Sequence, residues 1–162
     1  MEFRVISLPP FQAAASGLVR DFDFSPESPL GKFNDYFSAI TPSPRDSFMP
    51  RDFLCHAAEE NAMIWLLALS EGMDSGGYEV VDCEGGFYLT YTYWDGDEET
   101  NYRLYVEALA YIEGSGVFAL DIRPGHYPMG HLITPPEVIS VWGRAQMEPF
   151  IPIKLKEGAA PW

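Results

Sequence analysis

Basic residues are scarce. Ten Lys and Arg stand against 24 Asp and Glu, which leaves a formal net charge of −14 on 162 residues. A protein that holds nucleic acid neutralises phosphates with clustered Lys and Arg. The nearest thing to a cluster here is Lys154 with Lys156. Direct DNA or RNA binding by this chain is therefore not expected, and an anionic membrane surface is disfavoured for the same reason. Cationic or neutral partners suit the field better. Long apolar runs are missing too: AMIWLLAL is too short to span a bilayer. The opening MEFRVISLPP has no basic region followed by a long apolar segment, as a secretory leader has. The expected compartment is the cytosol, with Cys55 and Cys83 reduced. These two cysteines lack metal-ligand spacing and read as small buried hydrophobes. His56, His126 and His131 make no metal pattern either, since HYPMGH puts the last two on opposite strand faces. The glycines of GMDSGG and CEGG carry no phosphate-loop or dinucleotide signature. No serine or cysteine sits in a nucleophile motif. No metal, no cofactor and no catalytic residue is expected.

Aromatic residues, in contrast, are plentiful: 9 Tyr, 11 Phe and 4 Trp, or 15% of the chain. A core accounts for some of them, and an aromatic-walled ligand pocket would account for the excess. The order of elements repeats. EFRVISL reads as a strand, PP as a turn, and FQAAASG as a second extended piece. Ser28 and Pro29 open a helix whose apolar face is Leu30, Phe33, Phe37 and Ile40, with TPSP as its stop. RDFLCHA and AMIWLLAL follow as strands around AEEN. The second half runs YEVVDC, EGG, FYLTYTYW, then a helix opened by DGDEE, then HYPMGHLI and AQMEPFIPIKL. Its helix face reads as Tyr102, Tyr105, Val106, Leu109 and Ile112, with Arg103 and Glu107 paired at i,i+4 on the other side. TPPEVISVWGR reads as a loop. Each half is thus strand, strand, helix, strand, strand. The expected fold is α+β: one domain, residues 1–162, built from halves of approximately 1–74 and 77–157. Its antiparallel sheet has helices on one face, leaving the other free to form a concave pocket.

Glu148 is the odd residue in AQMEPFIPIKL. Alternation puts Gln146, Glu148 and Phe150 on one face and Met147, Ile151 and Ile153 on the other. Pro149 has no N–H for a ladder, which points to an edge or bulged strand. Glu148 is paired with an arginine, Arg51 or Arg144, or simply faces water, or it serves a function as the counter-charge of a cationic ligand or as a general base.

EGGFYLTYTYWDGDEE, GVFALDIRPGHY and AQMEPFIPIKL resemble the effector-binding domains of bacterial transcription activators. These are the gyrase-inhibitory-protein-like modules found at the C-terminus of AraC- and MerR-type regulators and as free-standing proteins. FRVISLPPFQAAASG is similar to their opening strand pair, and IWLLALSEGMDSGGYEVVD to the version attached to AraC regulators. The resemblance covers nearly the whole chain. It implies two pseudo-symmetric strand–helix–strand–strand modules and an aromatic-lined pocket with a glutamate at its base. Glu148 matches that glutamate, although Pro149 stands where such domains carry a β-branched or aliphatic residue. Trp65 matches an aromatic that faces the ligand, where cation–π attraction would complement the carboxylate. Of Tyr88 and Tyr91, on opposite strand faces, one can face the pocket. Phe53, Tyr127, Phe150 and Trp142 complete the candidate set.

The expected function is binding of a partly aromatic, cationic or neutral small molecule, to sense or sequester it, with multidrug recognition as the implied style. The chain has no helix-turn-helix, so it reads as a free-standing relative or a piece of a longer regulator. One alternative is a hydrolase of reactive small molecules using Glu148 as base. Another is a protein-binding inhibitor with an acidic surface.

Overall fold

The computed structural model describes residues 3–41 and 51–158. The chain forms two compact units, Met1–Pro9 with Gly85–Trp162, and Pro10–Glu84. We call these the first and second unit.

In the second unit, β2 (Phe11–Ala15), β3 (Asp52–Ala57), β4 (Ala62–Ala68) and β5 (Glu79–Cys83) pair in the order β3-β4-β2-β5, all antiparallel. Helix α1 spans Pro29–Ala39. Its start follows the sequence signal: the Ser28 hydroxyl accepts from the Gly31 N–H at 2.9 Å, and Pro29 takes the first position, where no N–H is needed. Leu30 and Phe33 are buried from this helix, and Phe33, Ala14 and Leu67 form a small core that Phe37, Ile40, Trp65 and Tyr78 pack against. Beyond Thr41, the TPSP stop lies outside the described residues. AEEN makes a single 3-10 turn, Ala58–Glu60, closed by Asn61 in the left-handed region at φ 47°.

In the first unit, β1 (Arg4–Leu8), β6 (Gly86–Thr90), β10 (Gln146–Leu155) and β9 (Met129–Leu132) pair in the order β1-β6-β10-β9, again antiparallel. Two short strands, β7 (Tyr93–Trp94) and β8 (Phe118–Leu120), also pair with β10. Helix α2 (Glu98–Gly114) covers one sheet face, and the short α3 (Pro136–Trp142) precedes β10. The core is Leu89, Tyr91, Ile151 and Ile153 from the sheet side against Leu104, Ala108 and Ile112 of α2. These side chains alternate along their strands, so the partners between them face the side away from α2.

The two units share one topology. β3-β4-β2 corresponds to β9-β10-β6, and the fourth strands correspond as β5 to β1. The fold is α+β, with two strand–helix–strand–strand modules, and the leading strand of each repeat pairs with the other repeat's second strand. The division into halves by sequence follows element order, whereas the units follow pairing. This is why β1 belongs with residues beyond Gly85. The crossing at Gly85 requires glycine: φ is +70°, and a Cβ there would lie 2.4 Å from the Leu8 carbonyl oxygen.

Several expectations need correction. TPPEVISVWGR is not a loop, because α3 runs through it, with Pro136 in its first turn and Gly143 closing it at φ 75°. Its β-branched Val138, Ile139 and Val141 hide the helix from pattern reading. FYLTYTYW is not one strand; the ladder breaks after Thr90 and resumes at Tyr93. The short β8 adds a strand that the element order expected from sequence does not contain. On α2 the buried stripe is Leu104, Ala108 and Ile112, while Tyr102 and Val106 are exposed. Ile112 is buried as expected and Tyr105 packs against the core, so the expected face is rotated rather than reversed, and the small Ala108 lets the helix approach the sheet. Finally, β10 is not an edge strand. It pairs with β6 and β7 along one side and with β9 and β8 along the other. Pro149 is tolerated because Glu148 and Pro149 lie opposite the break between β6 and β7, where the ladder is already interrupted.

Candidate functional site

The sheet face of the first unit that points away from α2 carries Arg4 and Ile6 from β1, Tyr88 and Thr90 from β6, and Glu148 and Phe150 from β10. Register fixes these neighbours: Arg4 lies opposite Thr90, Ile6 opposite Tyr88, and Phe150 opposite Thr90. Farther along, Glu148 faces His131 and Gln146 faces Trp94. Tyr88, Thr90, Phe150 and Glu148 are all buried, with Glu148 8% exposed. The Tyr88 ring stands edge-on to Phe150 at 6.1 Å and lies 5.8 Å from the His126 ring.

A carboxylate this buried needs a partner. Neither arginine expected for it supplies one in this structure. The partner is Arg4, whose guanidinium donates to a Glu148 carboxylate oxygen across 144 positions of sequence. The pair is lopsided, with the Arg4 side chain 59% exposed and that of Glu148 11%. Arg51 instead donates to the Ile40 carbonyl at 2.9 Å and lies over the Phe37 ring. Arg144 sits over two indoles, 3.9 Å from the centroid of Trp94 and 4.7 Å from that of Trp142, and these rings meet edge to face at 5.0 Å.

Thr90 was not singled out from sequence. It is fully buried, and its hydroxyl has no hydrogen-bond partner among the described residues. Native cores rarely leave a buried hydroxyl so. The equivalent ladder positions in the second unit are all different. Where the first unit has Thr90, Phe150, Glu148, Tyr88 and Arg4, the shared topology places Ala15, Leu66, Ile64, Ala13 and Glu79. One scaffold is used twice, and the buried carboxylate and hydroxyl occur in only one copy. The fold itself therefore does not require them.

The other candidates separate. Tyr91 belongs to the α2 side: its hydroxyl donates to the Asn101 side chain at 2.9 Å, and burial, followed by Tyr93 and Tyr105, raises its pKa. Tyr88 is the tyrosine on the face of Glu148. Trp65 packs on the α1 side of its unit, 5.4 Å from Phe33 and 5.6 Å from Phe37, and its indole N–H donates to Asp52 at 2.9 Å. Phe53 is buried on the opposite face of that sheet, 5.5 Å from Phe11. Tyr127 is half-buried in the segment leading into β9. Trp142 is 48% exposed at the end of α3. No local pattern marks Arg4, Thr90 or Trp94 as site residues. Their only signal was register, which shows no trace in a local pattern.

No group of three or more His, Cys, Asp or Glu able to hold a metal occurs among the described residues. Among the same residues no helix is long and apolar enough to cross a membrane. A cleft of about 630 Å³ opens in the second unit, lined by Gln12, Leu69, Glu71, Met73 and Val80 among others, and holds none of the candidate residues. Residues 69–75 of one loop make most of its wall and no aromatic side chain lines it, so the Glu148 face is the stronger candidate.

No family model and no curated protein matches the chain. Solved structures share its fold. SAV2435 bound to tetraphenylphosphonium is similar over 95% of this chain and 94% of its own, with TM-score 0.58 and 10% identity. The C-terminal domain of EcmrR, a protein also solved in complex with DNA, is similar over 94% and 97%, with TM-score 0.55 and 14% identity. A hydrolase from Listeria innocua is similar over 94% and 92%, with TM-score 0.56 and 11% identity. At such identities the likeness is one of fold.

Proposed function

We propose that this chain is a small-molecule-binding module of the effector-domain kind, free-standing or part of a transcription regulator, and that it takes a partly aromatic, cationic or neutral ligand on the Glu148 face of the first unit. The observation that carries the reading is the asymmetry of the repeat. A buried carboxylate and an unsatisfied hydroxyl, both costly, replace isoleucine and alanine at matched positions, with Tyr88 and Phe150 beside them. A net charge of −14 favours approach of cations. The ligand of SAV2435, a lipophilic cation, has the chemistry that a carboxylate among aromatic rings suits. Glu148, Thr90, Tyr88 and Phe150 form the proposed floor, with Trp142 and Trp94 at the margin. The acidic surface also argues that this chain does not itself contact DNA.

A thermal-shift series tests the ligand class. Matched cationic, neutral and anionic polyaromatic compounds are compared at equal concentration. A ligand at a hundredfold excess over its Kd stabilises by about 2.7 kcal/mol, which at this size raises Tm by about 2–4 °C per kcal/mol. The cations are expected to shift Tm most and the anions not at all. A preference for the anions, or no shift with any member, rejects the reading.

A further inference from the structure

We infer that the chain carries its own competing cations: Arg4 and Arg144 occupy the two recognition elements of the Glu148 face, and a ligand binds by exchanging for them. This rests on the reading of that face as the ligand site, and it narrows the ligand to a weakly hydrated, permanently charged aromatic cation.

The two elements lie on one surface. Gln146 is opposite Trp94 in the β10–β7 ladder, and Glu148 is two residues along the same face of β10. A lipophilic cation would be met by a carboxylate and by the faces of indoles. Both are present, and both are filled from within. Arg4 holds the carboxylate, while Arg144 lies over Trp94 and Trp142 in the corner they form at an interplanar angle of 79°.

The burial of the partners shows which of them can leave. Glu148 is fixed on the central strand with its side chain 11% exposed, whereas Arg4 reaches over from β1 with its side chain 59% exposed. Arg144 is exposed, and so is Trp142. An exposed guanidinium that swings away regains water at small cost, because it has lost little of its hydration in the pair. The carboxylate and the indoles stay where they are. Displacement therefore leaves a preformed anionic, aromatic surface.

Exchange also sets a filter. The entering cation must interact better with Glu148 and the indoles than a guanidinium does, after its own dehydration. A strongly hydrated ammonium or metal ion loses that comparison, and a delocalised charge buried among aryl groups wins it. Arg4 keeps Glu148 paired until a ligand replaces it, which is how a binding carboxylate is carried without unfolding the sheet.

The quantitative consequence follows from competition. If the competent, arginine-displaced state is a fraction of the population, the apparent Kd is raised by the inverse of that fraction. A pair closed for about nine-tenths of the time weakens the ligand roughly tenfold.

The test uses Arg4→Gln, Arg4→Lys and Arg144→Gln in the full chain. The probes are tetraphenylphosphonium and its neutral relative triphenylphosphine oxide, followed by calorimetric titration. Arg4→Gln is expected to tighten tetraphenylphosphonium roughly tenfold and to leave triphenylphosphine oxide nearly unchanged, because a neutral probe does not take the carboxylate and so need not displace Arg4. Arg4→Lys should fall between Arg4→Gln and wild type, and Arg144→Gln should tighten the cation in the same direction as Arg4→Gln. Unchanged or weaker cation binding by Arg4→Gln, with clear binding by wild type, overturns the exchange and leaves the ligand reading standing. Equal tightening of both probes shows that removing Arg4 merely opens space, which also overturns it. Absence of binding by wild type and Arg4→Gln alike rejects both readings. Should Arg4→Gln not fold, the guanidinium Nε–H resonance of Arg4 in the wild-type protein gives the answer. It should move on saturation with tetraphenylphosphonium, and a resonance that stays in place overturns the exchange.

Discussion

Replacing Thr90 with valine should make the protein more stable. Threonine and valine have nearly the same shape and both are β-branched, so the strand geometry of β6 is kept. What changes is one hydroxyl, fully buried and without a hydrogen-bond partner among the described residues. Leaving a buried hydroxyl unsatisfied costs about 1–3 kcal/mol. The added methyl would lie on the face shared with Phe150 and Tyr88, where apolar contact is available. The net gain expected for Thr90→Val is about 1–2 kcal/mol, or about 2–8 °C in Tm at this chain length. Urea denaturation of both proteins measures it, with the midpoint moving up and the slope unchanged. A variant no more stable than wild type at equal slope would refute the argument, because the hydroxyl would then be satisfied. A side chain retained at a stability cost at one copy of a duplicated position, where the other copy has Ala15, is the pattern of a residue kept for function.

Ser28→Ala removes the hydroxyl that accepts from the Gly31 N–H and reaches the Asp23 carbonyl at 2.6 Å; it should cost about 1 kcal/mol in the same denaturation assay. Alkaline pH should destabilise the fold. Burial, then the Asp82 carboxylate, pushes the Cys83 thiol up from 9.0 to about 11, and burial, then Glu98 and Asp95, pushes the Tyr93 phenol up from 10.0 to about 12. The unfolded chain loses these protons first, so above about pH 9 the folded state binds more protons and stability falls as pH rises toward 12. A stability flat from pH 8 to 11 contradicts this. In a mobility-shift assay at physiological salt, the purified chain should leave duplex DNA unshifted, and a salt-dependent shift at sub-micromolar protein would contradict the charge argument.

The sequence carried the fold at the level of element order, because amphipathic period, caps and turn residues are local. Ser28 with Pro29 is a cap signal that the structure keeps, and the helix that DGDEE opens starts at Glu98. Pairing is non-local and was not legible in this way. Nothing near Arg4 says that β1 lies beside β6, or that its guanidinium reaches Glu148. For the same reason Thr90 reads as an ordinary strand residue. Glu148 stands out because a charge inside an apolar strand is improbable without cause, but its partner cannot be read from spacing. Tyr102 misleads, with the spacing of a core residue and 72% exposure, and Trp65, for which the resemblance implies a ligand-facing position, packs against α1. Aromatic identity alone does not decide a face, because aromatic rings serve cores, sites and surfaces alike.

The most direct test of the central claim, that Glu148 anchors a cationic aromatic ligand, is the affinity of tetraphenylphosphonium for Arg4→Gln compared with Arg4→Gln/Glu148→Gln. With Arg4, the cation that holds Glu148, removed from both proteins and Arg144 kept in both, the difference reports the carboxylate alone. Losing that charged partner should weaken binding by about 1–3 kcal/mol, about 5- to 150-fold, while triphenylphosphine oxide is unaffected. Equal tetraphenylphosphonium affinity for the two proteins would contradict the account.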